Sequence, residues 1–214
     1  METLRAFVGC LVDLGTTRRL ADTSRALRRS LDAAGWKASW TPPPNMHLTL
    51  KFLGEIDAGT TPAISDALAA VVRRHGPMRL GLRDLVCLPD RESPKVLAVG
   101  VSEGHEALAA LARDVEEALV ELGFSRENRA FLGHVTVARV RHQAGALAEI
   151  NLPRVDVGVG TVHDVMLYRS DLTRAGAEHL CLSRHPLGEP VKRAEPVKQA
   201  APEKSGQSMS TGEG

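Results

Sequence analysis

A mixed helix and strand domain of two similar lobes is what this sequence predicts. Short apolar runs with strand-like patterning recur along it, and amphipathic stretches of helical period fall between them. One strand–helix–strand unit is written twice, which a repeated supersecondary unit explains. The first copy has a strand at 5–12, a helix from about 17 and His47. The second has a strand at 95–102, a helix from about 105 and His134. From helix start to histidine is about 30 residues in both.

The elements follow in order. RAFVGCLV (5–12) reads as a buried strand. Over 16–35, Leu20, Ser24, Leu27 and Leu31 share a helical face, while Arg18, Arg19, Arg25, Arg28 and Arg29 decorate the other side. Gly35 stops that helix. WKASW (36–40) is a short strand, TPPPN (41–45) a rigid loop, and a strand then starts at His47. Pro62 opens a helix that Gly76 closes. MRLGLRDLVCLPD and PKVLAVGVS are strands around a loop at 90–94, and 105–123 is the strongest helix. A strand from 134, a short helix near 143–150 and the strands RVDVGVG, HDVMLYRSDL and AEHLCLSRH complete the domain.

Composition narrows the function classes. With 214 residues and 43% hydrophobic content the chain can bury a real core. A formal charge of +1 gives no global basic field for bulk nucleic-acid binding, but leaves room for a local anion site. Cys10, Cys87 and Cys181 are scattered, so neither a zinc ribbon nor a Cys-x-x-Cys redox motif is present. Neither a signal segment nor a run of membrane-spanning length is seen, so a soluble cytoplasmic protein is expected. From Pro186 the composition shifts. EPVKRA (189–194) and EPVKQA (195–200) lead into a tract poor in large apolar residues. Residues 1–188 are therefore read as the domain and 189–214 as a disordered tail, with docking of a partner as the rival use of the tail.

The chemistry lies in two copies of His-x-Thr-x, at NMHLTLKFLGE and LGHVTVARVR. Alternate side chains of a strand share a face. His47, Thr49 and Lys51 then point one way, and Leu48, Leu50 and Phe52 the other. His134 and Thr136 likewise oppose Val135 and Val137. If the lobes face each other, two imidazoles and two hydroxyls line one cleft. One neutral histidine can take a proton from attacking water while the other, protonated, supplies the leaving oxygen. The threonines can donate to non-bridging phosphate oxygens. A single His-x-Thr in a strand is usually packing or surface decoration. Two copies at matched places in a repeat favour function. Lys51 is either a phosphate contact or part of a solvated face.

Residues 4–187 resemble the 2H phosphoesterases, and within them the bacterial and archaeal RNA 2′,3′-cyclic phosphodiesterases, also called 2′-5′ RNA ligases. RAFVGCLVDL, WTPPPNMHLTLKFLGE, RAFLGHVTVARVR and VMLYRSDL…GAEHLCLSRHPL carry the resemblance. It implies a bilobal α+β fold with a pseudo-two-fold repeat, two antiparallel sheets facing a central cleft and helices outside. It implies His47 as general acid, His134 as general base, and Thr49 and Thr136 as phosphate contacts, without metal or cofactor. Arg139 matches an arginine near the substrate phosphate, but regular alternation turns it away from the cleft, so its role requires a bulge or a strand end. The implied reaction opens an RNA 2′,3′-cyclic phosphate to a 2′-phosphomonoester, with minor reverse 2′-5′ ligation, in a monomer. Two departures stand out. Gly133 replaces a proline and frees the backbone before His134. Ala98 replaces an aromatic and weakens base stacking. Rival readings are a phosphodiesterase for another cyclic nucleotide or ADP-ribose cyclic phosphate, and a non-catalytic module that binds RNA ends or nucleotides.

The other histidines have plainer readings. His75 suits a helix C-terminus, and His105 and His142 suit solvent. His163 follows Gly-x-Gly, but a strand rather than a helix comes next. His179 and His185 lack ligand spacing. Trp40 is expected beneath the first motif and Cys10 in the core.

Overall fold

The computed structural model describes residues 2–173 and 176–188, so the tract read as a tail lies outside the described residues. The strands and helices are β1 (Thr3–Cys10), α1 (Leu14–Ala33), β2 (Lys37–Trp40), β3 (Leu48–Asp57), α2 (Thr61–Val72) and β4 (Met78–Leu88). They continue as β5 (Val96–Glu103), α3 (His105–Glu121), β6 (His134–His142), β7 (Asp156–Val162), β8 (Asp164–Thr173) and β9 (Gly176–Pro186). The helix expected near 143–150 is only a 3-10 turn at Leu147–Glu149. Gly145, at a φ of 77°, breaks helical geometry before it, and Leu147 alone anchors the turn in the core.

Local chemistry sets the helices. The Asp13 carboxylate caps α1 by accepting from the Thr16 amide at 2.9 Å. Leu20, Ser24, Leu27 and Leu31 then form its buried stripe, as their spacing predicts. Gly104, at a φ of 74°, turns the chain into α3, whose buried stripe is Leu108, Leu111, Ala112, Val115 and Leu119. α3 lies over β3, α2 packs on α3 and β9, and α1 packs on β7.

The strands run antiparallel in the order β7-β4-β5-β6-β3-β1-β8-β9, with β2 added to β6. The sheet curls into a half-barrel of two four-stranded halves. These halves touch through one residue pair, Leu48 opposite Val135, so the two expected sheets are joined at the motif strands. The repeat is visible as an exchange: β4, from the first copy, pairs with β5, and β8, from the second, pairs with β1.

A second symmetry appears in the register. Between Lys51 and Thr49, β3 slips by one against β1 and leaves Leu50 extra. Between Ala138 and Thr136, β6 slips by one against β5 and leaves Val137 extra. Each His-x-Thr-x motif thus ends on a bulged residue. A bulge reverses which face the side chains just beyond it take.

Candidate active site

Extending the Leu48–Val135 register by one residue each way sets His47 opposite Thr136 and Thr49 opposite His134. The four side chains are half-buried on one face, while Leu48, Leu50, Val135 and Val137 are buried on the other. Both imidazoles are held alike. His47 Nδ1 donates to the Asn45 carbonyl at 2.7 Å, and His134 Nδ1 donates to the Leu132 carbonyl at 2.8 Å. A ring whose Nδ1 carries the proton keeps its lone pair on Nε2. Each motif therefore presents an Nε2 that can accept or return a proton.

The two histidines differ in their surroundings. Phe7 stacks on His47 with centroids 4.7 Å apart, and Tyr168 stacks on Phe7 at 5.0 Å. His179 stands edge-on to His47 at 5.2 Å and 87°. Gly9 leaves the room for this arrangement. A Cβ there would come within 2.8 Å of the Leu48 carbonyl oxygen and 3.5 Å of His47 Cδ2. Burial is the main force that pushes His47 down from 6.5 to about 4. The Asn45 carbonyl opposes the change, and His179, His134 and Arg139 add to it. In the protein alone His47 is a neutral imidazole near pH 7.

The bulges change three readings. Lys51 shares neither the cleft face nor a solvated face. Its side chain is 3% exposed, with Nζ 2.8 Å from Glu116 Oε2 in α3 and 2.8 Å from the Ser125 carbonyl. The extra Leu50 turns Lys51 to the helical side. The same flip brings Phe52, expected with the apolar set, up beside Phe7 on the cleft face, where it is 65% exposed. In β6 the extra Val137 supplies the parity change that Arg139 requires. Arg139 is exposed, and its charge acts on both His47 and His179. Phe52 and Arg139 are thus equivalent positions of the repeat, three residues beyond Thr49 and Thr136.

Gly133 is not loosened. Its carbonyl accepts from the Val101 amide at 3.0 Å, and a Cβ would press on Leu108 and Val101 at 3.0–3.1 Å. Ala98 is buried opposite Thr136. His179, set aside for want of ligand spacing, reaches the site because β9 pairs with β8 and β8 with β1. His75 is bound to Asp114 of α3 at 2.9 Å rather than to its own helix end. Trp36, not Trp40, is the deeply buried tryptophan, and its Nε1 donates to the Ala144 carbonyl at 2.8 Å. Cys10 is buried, and burial pushes its thiol up. Among the described residues, no group of three His, Cys, Asp or Glu side chains is placed to hold a metal, and no helix is long and apolar enough to cross a membrane.

A curled antiparallel sheet carrying two symmetry-related His-x-Thr pairs on one face defines a 2H phosphoesterase. The model of LigT-like phosphoesterases matches residues 14–98. The RNA 2′,3′-cyclic phosphodiesterase of Aeropyrum pernix is 34% identical over 154 residues, covering 70% of this chain and 86% of that protein. The protein of the same description from Methanothermobacter thermautotrophicus is 32% identical over 177 residues, covering 81% and 93%. The crystal structure of TT0787 of Thermus thermophilus superposes with a TM-score of 0.73 at 25% identity, over 86% of this chain and 98% of that one. The chain belongs to the LigT-like phosphoesterase family and is a phosphodiesterase of the 2H superfamily.

Proposed function

We propose that this enzyme hydrolyses the 2′,3′-cyclic phosphate ends of RNA to 2′-phosphomonoesters by two-histidine acid–base catalysis. The observation that carries the mechanism is the matched pair of Nδ1-anchored imidazoles, each with the other motif's threonine across the strand boundary. Water attacks phosphorus and gives its proton to His134 Nε2. The P–O3′ bond breaks, and O3′ takes a proton from His47 Nε2. Thr49 and Thr136 donate to the non-bridging oxygens, and Arg139 offsets the phosphate charge. Phe52 offers an exposed ring on the cleft face for a nucleobase. Its kinship with the RNA 2′,3′-cyclic phosphodiesterases of Aeropyrum pernix and Methanothermobacter thermautotrophicus supports RNA as the substrate. A 5′-hydroxyl in place of water gives the minor 2′-5′ ligation. We place the enzyme in the cytoplasm as a monomer.

His47 is neutral in the protein alone, so as the acid it acquires its proton once the anionic phosphate is bound. The same burial favours a second reading, in which His47 is the base and His134 the acid. Both are tested in EDTA with an oligonucleotide ending in a 2′,3′-cyclic phosphate and with bis(p-nitrophenyl) phosphate, whose leaving group needs little protonation. His47→Ala and His134→Ala should each lose about 10²–10⁴-fold in turnover on RNA. Sparing of His47→Ala on the nitrophenyl ester identifies His47 as the acid, and sparing of His134→Ala exchanges the roles. Near wild-type turnover by either variant on RNA, or loss in EDTA rescued by a divalent metal, overturns the mechanism. Nucleotide binding without turnover marks a binding module, and preference for another cyclic phosphate moves the substrate class.

A further inference from the structure

We propose that His179 is a third phosphate-binding side chain of the cleft, contacting the phosphomonoester product more than the cyclic phosphodiester. This rests on the reaction proposed above. His179 lies on β9, two strands from β1, and its ring stands across the edges of the stacked Phe7–His47 pair. It is 5.0 Å from Phe7 and 5.2 Å from His47 between centroids, and near perpendicular to both.

As a packing residue His179 is poorly chosen. Its Nδ1 is buried and, among the described residues, has no hydrogen-bond partner. Burial holds the ring toward its neutral form, and the Glu178 backbone only partly opposes it. A phenyl ring would make the same edge contacts without burying an unpaired polar atom, which costs free energy.

The charges around the half-buried ring explain what it is for. The groups acting electrostatically on His47 are His179, His134 and Arg139, and the one acting on His179 is Arg139. No carboxylate is among them. From β1 and β8 the ring meets Phe7 and Tyr168, whose phenol donates to the Met166 sulfur. Three imidazoles and a guanidinium thus share one cleft, with no carboxylate of the described residues acting on His47 or His179, and burial drives both toward their neutral forms. An anion reverses that preference. The cyclic phosphodiester carries one negative charge. The opened monoester carries a second, with a pKa of about 6, and one more terminal oxygen. The second charge and the extra oxygen are what a third imidazolium can meet.

The test is calorimetry of adenosine 2′-monophosphate binding to the full-length enzyme and to His179→Phe, from pH 5.5 to 8, beside KM for adenosine 2′,3′-cyclic phosphate. His179→Phe keeps the edge contacts and should weaken monoester binding by about tenfold or more, the worth of one charge-assisted hydrogen bond. It should change KM for the cyclic substrate less than threefold and lose one of the protons taken up on monoester binding. His179→Gln, which keeps a donor, should recover part of the affinity. Unchanged monoester affinity, or equal losses for monoester and cyclic substrate with unchanged proton uptake, overturns the assignment. The calorimetric readout is independent of turnover: a wild-type protein that binds the monoester through His179 yet leaves cyclic phosphates intact sinks the proposed reaction and not this contact.

Discussion

His47 gives the most quantitative prediction, because its burial ties catalysis to stability. Its folded pKa is about 4, against 6.5 for the free side chain. At about 1.36 kcal/mol per pH unit, that difference corresponds to about 3 kcal/mol. The sign follows from which state binds the proton. Above 6.5 neither state is protonated at this ring, and the full stability is present. As pH falls from 6.5 toward 4 the unfolded chain takes up a proton that the folded one refuses, so stability is lost through that window and levels off below it. His179 and His185 are depressed by burial too and add slope in the same direction. Comparison with His47→Gln isolates the His47 share. Urea unfolding at pH 7.5 and pH 4 should show wild type losing about 3 kcal/mol more than the variant. The ring resonance of His47 should titrate below pH 5 in the protein alone. Inorganic phosphate should raise it, since a bound anion favours imidazolium. For the same reason the kcat profile should lie alkaline of the kcat/KM profile. Parallel unfolding curves for the two proteins, or a His47 midpoint at or above 6.5 without phosphate, would refute the reasoning.

Two more outcomes follow from the strand geometry. Lys51→Met should cost about 3 kcal/mol, measured by urea unfolding, because it leaves the Glu116 carboxylate, among the described residues, with only the Glu127 amide at 2.8 Å. Adding Glu116→Leu should restore part of that loss, and a Lys51→Met protein as stable as wild type contradicts the buried pair. Gly9→Ala should destabilise by about 1–3 kcal/mol, since the new Cβ meets backbone oxygen at 2.8 Å. It should also lower kcat more than it raises KM by shifting His47, and unchanged kcat would show that Gly9 sets no part of the ring's position.

The element types, apart from the short helix expected near 143–150, and the two His-x-Thr pairs are legible in the chain alone, because both rest on local period and composition. Leu20, Leu27 and Leu31 bury one stripe of α1 whatever packs on it, and His47 and Thr49 share a face because they are two residues apart in a strand. The repeat was legible for the same reason. What lies beyond each motif depends on strand pairing. A bulge is a mismatch between two strands, so Leu50 and Val137 become extra residues only when β1 and β5 pair beside them. Period-two counting from His47 put Lys51 in the cleft and Phe52 in the core, and both are reversed. The same counting from His134 turned Arg139 outward, and the second bulge turns it in. His179 stands 132 positions from His47 in the chain and no spacing rule links them. Its place depends on β9 pairing with β8 and β8 with β1. The proton affinity of His47 is likewise tertiary, for burial is its main cause, and Phe7 and His179, the rings packed against it, come from distant strands.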